Sequence, residues 1–99
     1  MTIQELLTST GLPCAYHHFA KPVTPPFLVY LGNGQDTFGA DNTWTYTNNR
    51  YQIEYYFTEK NEENERAIEE ALLLGGFNYE KSEDTFIDDE GLYVIYYYV

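Results

Sequence analysis

Apolar positions recur at helical spacing in one long stretch of this chain and alternate residue by residue in several others. In EKNEENERAIEEALLLGG, residues 59–76, Ala67, Ile68, Ala71, Leu72 and Leu74 fall on one side of a helix, while acids crowd its first turns and favour the helix dipole. Gly75 and Gly76 predict where that helix stops. A shorter helix is predicted at the start. Thr2 and Glu5 stand at capping-box spacing, Ile3, Leu6 and Leu7 form a brief apolar stripe, and Gly11 and Pro13 end it.

Strand-like alternation is cleanest in RYQIEYYFT, residues 50–58. Tyr51, Ile53, Tyr55 and Phe57 face one way, and Gln52, Glu54 and Tyr56 the other. TWTYT, residues 43–47, alternates as well, and Asn48 and Asn49 between the two stretches predict a tight turn and a hairpin. PFLVYL, residues 26–31, reads as a strand and CAYHHF, residues 14–19, as another. KPVTPP between them reads as an extended linker, because its prolines forbid a regular ladder. GNGQDTFG, residues 32–39, is rich in turn residues and predicts a loop between strands. FNYEK and DTFIDD predict one or two strands with a break near residues 82–84.

The closing stretch GLYVIYYYV, residues 91–99, is apolar or aromatic on both faces. Leu92, Val94, Tyr96 and Tyr98 point one way; Tyr93, Ile95, Tyr97 and Val99 point the other. An antiparallel sheet commonly wets one face, so the second must be covered by the same chain or by another copy of it. The element order predicts an α+β fold: one domain over residues 1–99, a mainly antiparallel sheet, a short N-terminal helix, and the longer helix packed on one face.

Composition sharpens this picture in two respects. Ninety-nine residues with 43% hydrophobic and 18% aromatic content support a folded core rather than a disordered chain. The net charge of -11 is concentrated in residues 51–99, and such a field repels the nucleic-acid backbone, so no nucleic-acid-binding role is expected. A single cysteine, Cys14, excludes an intramolecular disulfide and favours a cytoplasmic folding compartment. Without a basic N-terminal region or a long apolar run, neither secretion nor a membrane span is expected.

Candidate chemistry is sparse. His17 and His18 are adjacent, so in a strand they would project to opposite sides and not share a metal ion. GNGQDTFG lacks the Lys-Ser/Thr ending of a phosphate loop. Asp84, Asp88, Asp89 and Glu90 miss the calcium-loop spacing because Phe86 stands where a ligand oxygen is needed. No constellation marks an enzyme, and no cofactor or metal is expected. The carboxylates Glu62, Glu63, Glu65, Glu69 and Glu70 read as a solvated helix face, or as a wall that repels DNA passing beside it.

GLPCAYHHF, PPFLVYL, FGADN, YQIEYYFTEKNEENERAIEEAL and the Tyr-rich closing strand, in this order and spacing, resemble the small tail-completion proteins of long-tailed phages and prophages of Gram-positive bacteria. The resemblance spans nearly the whole chain. It implies a tail-terminator or head-tail joining role without enzymatic activity: a homo-oligomeric ring, usually of six copies, made in the host cytoplasm and resident in the virion. One rim would meet the tail-tube protein and the other the head connector. On this reading Phe38, Asp41, Asn42, Trp44, Tyr93 and Tyr97 make subunit or partner contacts, and Glu62, Glu63, Glu65, Glu69 and Glu70 line a lumen through which the genome passes. The competing reading is an acidic inhibitor, a DNA mimic occupying a host DNA-binding protein. Against it, twelve of the sixteen acids fall in the two stretches Glu59–Glu70 and Glu80–Glu90 rather than along a duplex-like stripe. A small enzyme or a carbohydrate-binding module ranks third, the latter because Trp and Tyr can stack on sugars.

Overall fold

Among the described residues, six strands form one mixed sheet, and two helices lie on one of its faces. This computed structural model describes residues 2–40 and 44–99, with the side chains of residues 36–40 and 44–48 outside the description. The elements run α1 (Ile3–Thr8), β1 (Cys14–Tyr16), β2 (Phe27–Ala40), β3 (Trp44–Phe57), α2 (Glu62–Leu74), β4 (Glu80–Lys81), β5 (Thr85–Ile87) and β6 (Leu92–Tyr98). The α+β fold anticipated from the sequence is the fold observed.

Both helices start and stop where local chemistry dictates. Thr2 and Glu5 close the capping box of α1 reciprocally, each side chain accepting from the other's backbone N–H. In α2 the Asn61 side chain accepts from the N–H groups of Glu63 and Asn64, and Glu62, Glu63 and Glu65 occupy the first turn. The far end is a Schellman closure. Gly76 adopts φ 83° and Phe77 N–H donates to Leu72 O at 2.9 Å. Gly75 lies against the Leu6 side chain so closely that a Cβ would collide with it, which is how α1 comes to rest on the end of α2.

Strand order is β1-β2-β3-β6-β4, with β5 also on the outer edge of β6. Every pairing is antiparallel except β1 with β2. Between β4 and β5 the ladder continues through Ser82, whose N–H donates to Tyr96 O at 2.9 Å and whose hydroxyl accepts from Tyr96 N–H at 2.8 Å. The break expected near residues 82–84 is thus bridged by a side chain. Leu28, Ile53, Tyr55, Phe57, Ile95 and Tyr97 project from one sheet face onto Ile68 and Leu72 of α2 and Ile3 and Leu7 of α1, forming the core.

The structure corrects three local expectations. Asn48 and Asn49 do not turn: β3 runs unbroken from Trp44 to Phe57, and the hairpin partner of this strand is β2. GNGQDTFG is accordingly strand rather than loop, because cross-strand pairing satisfies its backbone and overrides the turn preference of its residues. Strand β1 stops at Tyr16 instead of reaching Phe19, because His17 adopts φ 65° and leaves the ladder.

Candidate functional site

Three features could carry function: a charge cluster under α2, a two-stranded ribbon beyond the body, and the sheet face opposite the helices. The first arises because Glu65 and Glu69 fall on the same side of α2 as Ile68 and Leu72. Glu65 is only 3% exposed. Its Oε1 accepts from Lys81 Nζ at 2.8 Å, and its Oε2 lies 2.8 Å from Lys60 Nζ without the angle a hydrogen bond needs. Glu69 Oε2 accepts from the Tyr97 hydroxyl at 2.8 Å and lies 2.9 Å from Lys81 Nζ, while its Oε1 accepts from the Tyr79 hydroxyl at 3.2 Å. Lys60 also donates to Asp84 at 3.0 Å.

This network corrects the continuous acidic face. Glu62, Glu63 and Glu70 are exposed, but Glu65 and Glu69 turn toward the sheet, where two lysines compensate their charge. Burial works to raise the Glu69 carboxyl, yet Lys81 and the Tyr97 and Tyr79 hydroxyls outweigh it and hold it below the ordinary value of 4.5. Burial and the Glu69 carboxylate together push the Tyr97 hydroxyl strongly upward. The depressed Glu69 contributes stability that is fully present above pH 4.5 and is lost as pH falls through its folded value. Glu69→Gln is expected to cost about 1–3 kcal/mol at neutral pH. Urea denaturation at stepped pH should show that deficit shrinking as the solution is acidified below 4.5; a constant deficit would contradict the pairing.

Of the two closing-strand tyrosines expected at an interface, one is available. Tyr97 is fully buried beneath α2, so its place is in the domain's own core. Tyr93, on the same face but beyond the helix, is 39% exposed; it stacks on Phe57 at 5.4 Å and meets Phe86, itself 49% exposed, at 4.9 Å. These rings make a small aromatic patch at the edge of the body.

The ribbon is the outer part of β2 and β3. Strand β6 pairs with β3 only over Gln52–Phe57, with a further backbone pair between Tyr51 and Val99, and β1 pairs with β2 only over Leu28–Tyr30. Beyond these, Gln35–Ala40 and Trp44–Asn49 pair with each other, and among the described residues neither outer edge has a strand partner. Six residues per strand reach about 20 Å. Where the ribbon leaves the sheet, Asn33 and Gly34 face Arg50 alone in a two-against-one bulge, with Gly34 at φ 80°. The molecule is correspondingly long: its extents are 50 × 26 × 26 Å and its radius of gyration is 15.0 Å, against about 13 Å for a compact chain of this length. Phe38 and Trp44 lie on the ribbon's outer backbone, paired with Tyr46 and Ala40, and their side chains lie outside the described residues, as do Asp41 and Asn42 altogether.

The opposite sheet face is partly covered by the connection from His17 to Pro26. Phe19 meets Phe27 edge-on at 5.4 Å, and Phe27 stacks on Tyr56 at 5.1 Å. Between this connection and the sheet runs an open groove of about 700 Å³, lined in part by Phe19, Lys21, Val29, Glu54, Tyr56 and Leu92. Glu54 accepts from Gln52 and from the Tyr56 hydroxyl. Val29 and Val94 are buried here, so the chain itself covers much of its second apolar face. Cys14 is half-buried, and burial pushes its thiol up to about 11, which leaves it protonated and unreactive near neutrality.

His17 and His18 depart from expectation. Because His17 leaves the strand conformation, their imidazoles come together, with Nδ1 atoms 3.2 Å apart. Sequence reasoning also missed Lys60 and Lys81 as partners of the helix acids. No helix among the described residues is long and apolar enough to cross a membrane. No family model matches the sequence, and no curated protein or solved structure shows significant similarity to it.

Proposed function

We propose that the chain is a structural phage protein, a tail-completion subunit that forms a ring at the head-proximal end of the tail and joins it to the head connector. The observation that supports this most is the ribbon of Gln35–Ala40 and Trp44–Asn49, which extends beyond the body and, among the described residues, has no strand partner on either outer edge. A two-stranded ribbon alone is at best marginally stable in water, and open edges are templates for strands of another molecule. A ring supplies that partner, since each ribbon reaches the neighbouring copy. Phe38, Asp41, Asn42 and Trp44 would make contacts near its tip, and Tyr93 with Phe86 would contribute from the body.

The exposed carboxylates Glu62, Glu63 and Glu70 of α2, or those of Asp88, Asp89 and Glu90 in the turn before β6, suit a lumen that does not retain DNA. No catalytic step or cofactor enters this reading. The protein is made in the host cytoplasm and ends in the virion, between the tail-tube protein and the connector. The acidic-inhibitor alternative is weakened by Glu65 and Glu69, which face lysines of the same chain rather than a partner.

Deletion of the gene from the prophage that carries it, followed by induction and negative-stain imaging, tests the proposal. DNA-filled heads beside detached or overlong tails are the expected outcome. Intact infectious particles would overturn it.

A further inference from the structure

The connection between β1 and β2 begins with a strained turn that brings two imidazoles together. His17 N–H donates to Tyr30 O at 2.8 Å, whereas His18 N–H folds back onto Tyr16 O at 2.7 Å, making a three-residue turn with His17 at φ 65°. A turn of this kind with a positive central φ is rare and strained. Its result is that Nδ1 of His17 and Nδ1 of His18 face each other at 3.2 Å, with the rings at 90°.

A neutral imidazole carries one protonated and one bare nitrogen, so this contact is a hydrogen bond only when the two rings adopt opposite tautomers. When both protons sit on Nε2, two bare nitrogens face each other, and a cation can take the place of the shared proton. We infer that His17 and His18 form a two-imidazole chelate for a divalent transition ion of the zinc and copper class.

Imidazole–zinc bonds of about 2.0–2.1 Å to nitrogens at this separation enclose an angle of about 100°, between the square-planar and tetrahedral values. The separation of the two nitrogens is therefore one that a single shared ion can span. Magnesium and calcium prefer oxygen ligands, whereas imidazole suits zinc, copper and nickel. Among the described residues no three His, Cys, Asp or Glu side chains gather around one point, so the chain supplies two ligands and water takes the other positions. Glu54, Glu90 and Lys21 line the same groove as the pair, and the net charge of -11 raises the local cation concentration. A bound ion would clamp the turn from which the Phe19 connection crosses the sheet.

The test is titration of the full chain with zinc chloride and, separately, copper chloride, followed by calorimetry and by the nitrogen resonances of the histidine rings. One equivalent is expected to bind, copper more tightly than zinc, with zinc shifting the Nδ1 signals of both histidines and magnesium shifting neither. His18→Ala and His17→Asn should each weaken binding at least about tenfold. Asn tolerates left-handed backbone, so His17→Asn keeps the turn while removing the ligand. Unchanged affinity in either variant would assign the ion to surface carboxylates and overturn the inference, as would an absence of Nδ1 shifts at millimolar zinc.

Discussion

Alanine at Tyr97 is expected to lower the unfolding free energy by about 3–5 kcal/mol, while alanine at Tyr93 costs about 1 kcal/mol or less. Both tyrosines sit on one face of β6, yet they differ in what lies above them. Tyr97 is fully buried under α2, and its hydroxyl donates to Glu69 at 2.8 Å. Truncation would open a cavity and remove a hydrogen bond from a partly buried carboxylate that Lys81 would then hold with less help. Against a total stability of about 5–15 kcal/mol for a domain of this kind, the loss is severe enough that a defect in assembly would follow from unfolding. Tyr93 rests on Phe57 at the rim, so its removal leaves a surface depression that water fills. Urea denaturation of the two variants separates the cases. Equal losses would mean that Tyr93 is as much a core residue as Tyr97.

Excising the ribbon is expected to leave a folded protein that no longer assembles. Gln35 and Asn49 are paired in register, so replacing residues 36–48 by Asn-Gly joins them through a two-residue turn suited to a hairpin. The core residues all lie in or beside the retained sheet, and the thermal midpoint should move by only a few degrees, corresponding to less than about 1 kcal/mol. Sedimentation of the purified proteins is the measurement. The full chain should form rings at high concentration and the shortened chain should remain monomeric. Rings from the shortened chain would show that the ribbon is not the contact and would shift attention to the patch of Tyr93 and Phe86. Changing Phe38 and Trp44 together to alanine is the gentler form of the experiment, with weakened rings expected.

The parts that were legible in the sequence are those in which a local signal and the tertiary structure agree. The acidic first turn and the Gly75-Gly76 stop mark α2 without help from the rest of the chain, and the structure adds Asn61 as its N-cap. Asn48 and Asn49 misled because their turn preference is a local property, whereas their strand conformation comes from pairing with Asp36 and Gln35 across the ribbon. Glu65 and Glu69 looked like part of a solvated face when counted as acids. Their spacing with Ile68 and Leu72 in fact follows the buried stripe, and that signal was present in the sequence. What the sequence did not contain was the identity of the compensating charges, since Lys60 and Lys81 come from the helix approach and from β4. The histidine pair was hidden for another reason. Adjacent residues diverge only in an extended strand, and nothing in CAYHHF announced a left-handed residue at His17.

The position of β6 has a consequence for how the domain is made. It lies between β3 on one side and β4 and β5 on the other, and it contributes Ile95 and Tyr97 to the core. A nascent chain that has not yet released these residues from the ribosome has a helix without much of its floor and a β3 edge with nothing to pair. The contacts that complete the sheet are distant in sequence, of the kind that form slowly and leave hydrophobic surface exposed in the interval. Completion of the sheet is therefore expected to wait for Leu92–Tyr98, the strand with which β3, β4 and β5 all pair.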